Sequence, residues 1–259
     1  MSRTVFLESI LPSIRVGSDP GILFDDVMTL YRDNLGFSDL EKVKVIRGYI
    51  DLKNIQNLLR KEEIDHRGNL NEKELDDAIV NQEGLPIYLF DFLEEYQEIP
   101  EQLRNYSKIF ISFFKEMDKK HWGFLREYFR FERSWRALLA GYRAKKLGVD
   151  PAVALQHEDF HDPLIAEILA QKDAPFFEFP FEYVGLGEKL KDVGQKPDKQ
   201  YQLMADFRFH RIRDMVQDHR FSIDYLLGYL VQLMIVEDAF ALDEKRGSEN
   251  LNEMVKGNL

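Results

Sequence analysis

Residues 124–148 read FLREYFRFERSWRALLAGYRAKKLG. Apolar side chains recur in this stretch every three or four positions, which is the spacing of one face of a helix and not of a strand. The stripe consists of Leu125, Tyr128, Glu132, Trp135, Leu139 and Tyr142, with one acid among the apolar side chains. Gly148 follows directly, and glycine commonly ends a helix at that position. The stretch therefore predicts one long amphipathic helix.

The same spacing continues on both sides of this helix. On the N-terminal side it predicts helices over residues 22–36 and 39–61, and two more that begin near residues 72 and 86. The helical pattern that contains residues 124–147 itself begins at residue 101, with a kink at His121-Trp122-Gly123. On the C-terminal side it predicts helices over residues 198–219 and 223–246, and a short one from Ser248. We expect Asp19 to cap the first of these helices, with Pro20 at its first position, and Ser38 to cap the second.

No stretch shows a convincing alternating strand pattern, and β-branched residues are sparse. The pattern therefore predicts an all-α fold, an elongated helical bundle or funnel. Residues 148–200 are the least regular because they contain many prolines and glycines. We expect a single all-α domain over residues 1–259, with any internal subdivision near residue 100 or within 150–200.

Composition excludes several functional classes. The net charge of −11 argues against a nucleic-acid partner, which would require a basic face. The chain has no cysteine, so it has no disulfide, thiolate metal site or cysteine nucleophile. Phosphate-binding loops and hydrolase nucleophile patterns are also missing, so we expect no cofactor. The lack of cysteine fits a reducing, cytoplasmic location.

Membrane targeting has little support in the sequence. The N-terminal residues MSRTVFLESILPSIRV reach Glu8 and Pro12 too early to form the core of a signal peptide. The longest charge-free apolar stretch lies between Asp224 and Glu237, short of the roughly 20 residues that span a bilayer. We therefore expect no direct membrane insertion.

Two long predicted helices share an internal pattern. The two copies are YIDLKNIQNLLR, residues 49–60, and FRFERSWRALLAGYR, residues 129–143. In each copy an acid, Asp51 or Glu132, lies in the apolar face, a leucine follows seven positions later, and basic residues come next. A fainter third copy runs over residues 229–247, with Glu237 at the acidic place. Chance similarity between amphipathic helices is the alternative explanation.

These three acids interrupt apolar stripes, and a buried carboxylate needs partners. Arg47 and Arg136 lie one helical turn from Asp51 and Glu132, within reach of an ion pair. We therefore interpret Asp51, Glu132 and Glu237 as structural acids, in an ion pair or partly solvated. A proton relay is the alternative role.

The chain resembles a known family over nearly its full length. The stretches that carry the resemblance are Leu11-Pro12, DLKNIQNLLR, IDHRGNLNEKEL, FERSWRALLAGYRAKKLG, YLLGYLVQLMIVEDAFALDEKRG and ENLNEMV. They resemble a bacterial family of formerly unknown function that is associated with V-type ATPases. That family in turn resembles the C subunit of archaeal-type (V/A-type) rotary ATPases.

The resemblance implies a structural role without catalysis. The C subunit is a funnel of helices in three pseudo-equivalent parts that links the central stalk to the membrane rotor ring. The resemblance also implies that the partners are the central stalk subunits and the rotor ring. It further implies a cytoplasmic location, peripheral to the membrane. The C subunit has an Asn three positions after the acid, as Asn54 follows Asp51 here. Trp135 replaces this Asn in the second copy and Ala239-Phe240 stand there in the third, so full threefold correspondence is left open.

One motif indicates a different function. His157-Glu158-Asp159-Phe160-His161 matches H-E-x-x-H, in which two histidines one helical turn apart bind zinc and the glutamate acts as general base. Pro163 disfavours helical geometry at Asp162, and no pattern marks a third ligand. A zinc-dependent hydrolase with His157 and His161 as metal ligands is therefore the alternative to a coupling subunit, and an unrelated helical adaptor protein is a further one.

The polar loop at residues 65–76 superficially resembles a calcium site. Leu70 occupies the sixth position, where that loop requires glycine, and Asp76 the twelfth, where it has a bidentate glutamate. A helix cap explains the loop better, with Asn71 at the cap and Glu74 three residues later.

Two surface features have open interpretations. The aromatic run Phe176, Phe177, Phe179, Phe181 and Tyr183 is expected to pin a loop over the core, or else to form a patch for a partner. The basic cluster comprises Arg126, Arg130, Arg133, Arg136, Arg143, Lys145 and Lys146. It is expected to form local ion pairs on a solvated helix face, or else to meet an acidic partner.

Overall fold

The computed structural model describes residues 3–194 and 196–257, with side chains as far as Leu242. Its α-helices are α1 Arg3–Ile10, α2 Phe24–Asn34, α3 Phe37–Arg60, α4 Glu72–Asn81, α5 Ile87–Glu95, α6 Ile99–Asn105, α7 Ser107–Lys120, α8 Gly123–Lys146, α9 Pro151–Ala154, α10 Pro163–Ala170, α11 Val184–Val193, α12 Pro197–Val216 and α13 Ile223–Gly257. A short 3₁₀ helix covers Phe181–Tyr183. The described residues contain no strand, which confirms the all-α prediction.

The chain divides into two compact units, and the single all-α domain stays a prediction. Unit 1 combines residues 1–37 with residues 181–259, and unit 2 comprises residues 38–180. The boundary after Pro180 lies in the irregular stretch 148–200, one of the two places where the sequence suggested a subdivision. The other boundary lies before Ser38, which no sequence pattern marks, and not near residue 100. The first 37 residues join the C-terminal helices through hydrogen bonds between residues about 200 positions apart, which no local pattern reveals.

The core of unit 2 is aromatic and forms between α3, α7 and α8. The Tyr49 ring of α3 lies 5.4–5.8 Å, centroid to centroid, from four phenylalanine rings, those of Phe110, Phe113, Phe114 and Phe129. Stacked and edge-on aromatic pairs at such distances add stabilisation beyond the area they bury. This cluster fixes the face of α3 that carries Asp51.

Helix α8 carries the apolar stripe from which the all-α fold was predicted. Leu125, Tyr128, Glu132 and Trp135 are buried, while Leu139 and Tyr142 are only partly covered. Towards the C-terminal end of the helix, Gly141 provides room for α10, because a Cβ there would lie 2.4 Å from Ile168 Cγ2. The helix ends before Gly148, whose φ of +67° is the left-handed conformation expected of a glycine stop.

Unit 1 is built on the pair α12 and α13, which pack along each other. At Gly228 an added Cβ would lie 2.6 Å from Val216 Cγ1, so the two backbones approach closely there. The Tyr31 hydroxyl of α2 donates to the carbonyl of Leu226 at 2.7 Å and is fully buried. The N-terminal helices are thereby held on the C-terminal pair.

Several predicted helix ends were wrong. Helix α2 begins at Phe24, not near Pro20, because Asp19 accepts a hydrogen bond from Gly21 N and forms a turn instead of a cap. Ser38 lies inside α3. The expected kink at residues 121–123 is a complete break between two helices. A single helix α13 replaces the two helices expected from Ile223 and Ser248.

The segment Ile223–Leu242 of α13 is long and apolar enough to cross a bilayer, judged by length and composition alone, with a mean hydropathy of 1.5. Two-thirds of that segment (67%) is buried inside the protein, as in the core helix of a folded domain. The sequence expectation counted only the charge-free residues between Asp224 and Glu237, whereas this longer window includes acids. The absence of direct membrane insertion therefore stays a prediction.

Candidate functional site: the Asp51 cavity and the structural acids

Asp51 holds the loop that joins α3 to α4. Its side chain is 4% exposed. One carboxylate oxygen accepts a hydrogen bond from Asn69 Nδ2 at 2.9 Å, and the other accepts one from the backbone N–H of Leu70 at 3.2 Å. Asp51 therefore joins α3 to this loop through hydrogen bonds.

Two neighbours of Asp51 on α3 bind the same loop. Asn54 pairs with the backbone of Asp65, donating to its carbonyl and accepting from its N–H, both at 2.8 Å. Arg47, expected to pair with Asp51, donates from Nε to the carbonyl of Arg67 at 3.1 Å and from Nη2 to that of Gly68. The α3 side chains thus satisfy backbone groups that the loop itself leaves unpaired.

Close contact makes this junction intolerant of added volume. A Cβ at Gly68 would lie 2.4 Å from Asp51 Oδ1 and 2.9 Å from Asn54 Nδ2. The glycine therefore lets the loop backbone approach both side chains of α3.

A cavity of about 510 Å³ lies beside Asp51. Its lining is mostly apolar, from Leu52, Leu85, Pro86, Phe113 and Met117, with Lys44, Arg47, Asp51 and Asn69 at its polar side. Burial raises the pKa of Asp51 above its ordinary value, although the hydrogen bonds and the charge of Arg47 oppose this shift. Asp51 thus contributes the one carboxyl group to the described lining of this cavity.

We expect the cost of Asp51→Asn to depend on pH. Because the folded-state pKa is raised above 3.8, the folded protein binds a proton more readily than the unfolded chain. The wild type therefore loses stability as pH rises from 3.8 through the raised pKa, and the variant does not. The stability difference between wild type and variant should be largest below pH 3.8 and should shrink across this window. Urea unfolding at several pH values measures it, and a difference that grows with pH would contradict the assignment.

Glu132 lies in the core of unit 2 and is 3% exposed. Arg136, its predicted partner, places its guanidinium carbon 3.7 Å from the centroid of the Phe110 ring. Such a cation–π contact stabilises a partly desolvated arginine. The ion pair between Glu132 and Arg136 stays a prediction.

Glu237 is partly buried and binds a residue that is distant from it in the sequence. Its carboxylate accepts a hydrogen bond at 2.6 Å from the backbone N–H of Phe24, the first residue of α2. Helix N-termini attract anions because their first N–H groups lack intrahelical acceptors. An acid of α13 thereby holds the start of α2 in unit 1.

Glu237→Ala should lower the free energy of unfolding by about 1 kcal/mol, because it removes an acceptor from a helix N-terminus. Glu237→Gln should cost less, since its amide oxygen still accepts the hydrogen bond from Phe24. Chemical denaturation of both variants measures the difference. Equal losses would show that the hydrogen bond contributes nothing.

The H-E-x-x-H motif lies in turns between α9 and α10 and not on a helix. Arg133 donates from Nε and Nη2 to Glu158 Oε2 at 3.2 and 3.0 Å, and from Nη1 to Asp162 Oδ2 at 2.8 Å. His157 Nε2 lies 3.0 Å from Asn105 Oδ1. The glutamate expected to act as a base is thus held in an ion pair.

The end of this motif matches the predicted boundary at Pro163. Helix α10 begins there, and Asp162 caps it by accepting a hydrogen bond from Leu164 N at 3.0 Å. Among the residues whose side chains are described, no three His, Asp or Glu side chains form a group that suits a metal ion.

The loop at residues 65–76 ends in the predicted helix cap. Asn71 Oδ1 accepts from Glu74 N at 3.0 Å, and Glu74 Oε2 accepts from Asn71 N at 2.8 Å. This reciprocal pair is a capping box.

The basic cluster on α8 forms local contacts, as predicted. Arg126 and Arg130 share Asp118, at 3.0 and 2.5 Å. Lys145 donates to the carbonyls of Gln171 and Lys172 at 3.0 and 2.7 Å. Much of the positive charge of the cluster is therefore neutralised or capped within unit 2.

The aromatic run divides between core and surface. Phe177 and Phe179 pack against Tyr142, with ring centroids 5.8 and 5.3 Å apart. Phe176 and Phe181 are 74% and 94% exposed. Tyr183 is also buried, at 3% exposure. The loop-pinning interpretation is wrong for Phe176 and Phe181, and it fits the other three residues.

Comparison with known proteins places these features in a family. The family model described as "Protein of unknown function (DUF2764)" matches residues 1–257. The chain belongs to this family. The match includes both units, so the Asp51 junction and the α12–α13 pair lie within the family's own sequence.

Relatives occur in Chlamydia. A protein of Chlamydia muridarum and one of Chlamydia trachomatis are each 29% identical to this chain over 264 residues, covering 99% of both partners in each comparison. A Chlamydia pneumoniae protein is 28% identical over 263 residues. All three are described as uncharacterized proteins. No solved structure matches the chain.

Sequence reasoning found Asp51 but missed the groups that act with it. No sequence pattern assigned a role to Asn54 or Gly68. Asn54 binds the loop backbone, and Gly68 lets that backbone approach α3 closely. An asparagine inside an apolar helix face is itself a signal, because a buried amide requires hydrogen-bond partners. The identity of those partners depends on the tertiary fold.

Proposed function

We propose that the chain is a non-catalytic coupling subunit of a V/A-type rotary ATPase that transports protons or sodium ions. In this role it links the central stalk to the membrane rotor ring. It works on the cytoplasmic side and reaches the membrane through protein partners.

The observation that carries this proposal is that the stretches resembling the ATPase-associated family bind one another. Asp51 and Asn54 belong to DLKNIQNLLR and hold residues 65–70 of IDHRGNLNEKEL. In unit 1, the Tyr229 hydroxyl of the C-terminal stretch donates to the carbonyl of Pro12, in the Leu11-Pro12 pair, at 3.0 Å. The residues that carry the resemblance thus make contacts that hold each unit together. This is expected of a protein whose function depends on its shape and packing.

The polar groups in those contacts also support a structural role. Asp51 and Glu237 accept hydrogen bonds from backbone N–H groups, and Arg133 binds two carboxylates at once. Each holds one element of the fold against another. The tail ENLNEMV, part of the resemblance, lies beyond the residues whose side chains are described.

Affinity purification from cells that express the rotary ATPase tests this function. We expect the tagged full-length chain to enrich both the central stalk and rotor ring subunits, as identified by mass spectrometry, over a tag-only control. Enrichment of other proteins without any ATPase subunit would favour an unrelated helical adaptor. Stoichiometric zinc in the purified protein, lost in His157→Ala, would instead favour the hydrolase.

A further inference from the structure

Unit 1 contains a second cavity, of about 670 Å³, between the non-helical residues 11–16, α12 and the first turns of α13. Its walls are tied together by hydrogen bonds. Tyr229 binds the carbonyl of Pro12, and Gln232 Nε2 donates to the carbonyl of Phe209 at 3.2 Å. Cavities of this size are typical of small-molecule sites.

The lining of this cavity is basic, although the chain as a whole is acidic. Four basic side chains contribute to it, Arg15, His210, Arg213 and Arg220. The acids in the lining are Glu8 and Asp206. With His210 neutral, three arginines face two carboxylates, a formal balance of +1 against −11 for the whole chain.

Glu8 is already engaged and does not oppose an incoming anion. Its carboxylate accepts hydrogen bonds from Arg220 Nε and, at 2.5 Å, from Phe221 N. The Glu8 side chain is almost fully enclosed by these contacts. Arg220 and Glu8 thus form an internal pair, and the other two arginines remain.

Asp206, the second acid of the lining, lies beside basic side chains. Burial raises the pKa of its carboxyl above the ordinary value, while the nearby His210 and Lys189 oppose that rise. His210 Nδ1 lies 2.7 Å from the carbonyl of Asp206. A carbonyl only accepts, so that nitrogen carries the proton.

Arg15 and Arg213 are the arginines of the lining that donate no described hydrogen bond to a carboxylate. Arg15 donates from Nε to Ser18 Oγ at 3.0 Å. Arg213 forms an exposed ion pair with Asp214, in which Nε lies 3.7 Å from Oδ1, and this contact uses no hydrogen bond. Both side chains are exposed at the cavity, and a guanidinium fork matches the oxygens of a phosphate or carboxylate.

We propose that this cavity binds a small multivalent oxyanion, an organic phosphate or a polycarboxylate, through the guanidinium groups of Arg15 and Arg213. This site is independent of the coupling role. Hydrogen bonds join its walls, and its lining has one more arginine than carboxylates.

Isothermal titration of the full-length chain with pyrophosphate and with citrate tests the site. Ionic strength is held constant, because salt screens exposed charges. We expect saturable binding of one probe molecule per chain. Preference for pyrophosphate identifies a phosphate ligand, and preference for citrate identifies a polycarboxylate.

Arg213→Gln should weaken binding at least about tenfold, because it removes a charge-assisted contact. Arg15→Gln should act in the same direction. Arg32→Gln, an exposed arginine of α2 outside the cavity, is the matched control and should leave binding unchanged. Thermal unfolding verifies that each variant is folded. Failure of both probes to saturate, or equal weakening by Arg213→Gln and Arg32→Gln, would overturn the proposal.

Discussion

Gly68→Ala should lower the free energy of unfolding by about 3 kcal/mol, since it overpacks a buried junction and disturbs its hydrogen bonds. The new Cβ would lie 2.4 Å from Asp51 Oδ1 and 2.9 Å from Asn54 Nδ2. Neither atom moves without cost, because Asp51 binds Leu70 N and Asn54 binds the backbone of Asp65.

The matched control for this variant is Gly48→Ala on α3. A Cβ there meets only Asn69 Nδ2, at an ordinary contact distance of 3.7 Å. Alanine is favoured over glycine inside a helix by about 1 kcal/mol, so this change should be neutral or stabilising. Urea unfolding of both variants makes the comparison. If Gly68→Ala is as stable as Gly48→Ala, the described junction between α3 and the loop is incorrect.

Gly228→Ala should cost about 2 kcal/mol, although alanine has the better helix propensity. Its Cβ would lie 2.6 and 2.9 Å from the two γ-methyl carbons of Val216, in the buried contact between α12 and α13. Both residues belong to regular helices, so the clash is relieved only if the helices separate or Val216 changes rotamer. The loss of packing should outweigh the gain in propensity.

A double-mutant cycle isolates this contact. Val216→Ala alone should also destabilise, because it removes buried methyl groups. Combined with Gly228→Ala, it makes room for the new methyl, so the double variant should lose less stability than the sum of the single losses. Strictly additive losses would contradict the close approach of the two helices. Gly185→Ala on α11, where a Cβ meets nothing within 4 Å, is the control for a glycine in an open position.

Helix periodicity was enough to predict the fold class. The apolar spacing around Trp135 follows from burying one face of a helix, and this is a local property. The cap at Asn71 and the stop at Gly148 were also predictable, because each depends on backbone geometry within a few residues.

The division into two units was not predictable from such patterns. It depends on contacts such as Tyr31 with Leu226 and Glu8 with Arg220, each about 200 residues apart in sequence. The break between α7 and α8 was underestimated because both helices have strong periodicity and only His121-Trp122 separates them.

The candidate sites were predictable only in part. An acid in an apolar stripe drew attention to Asp51, but its partners lie in a loop 18 and 19 residues further on. Glu237 was identified for the same reason, whereas its bond to Phe24 N required the tertiary fold. The basic cavity of unit 1 escaped notice because its arginines come from three separate segments, and no spacing in the sequence unites them.

The coupling role is tested most directly by measuring ATP-driven ion transport and ATP hydrolysis in the reconstituted rotary ATPase, with and without this chain. We expect complexes without the chain to hydrolyse ATP while transporting few ions, and addition of the purified chain to restore transport per ATP. Full transport in complexes that lack the chain, or no binding of the chain to stalk and ring, would contradict the role proposed here.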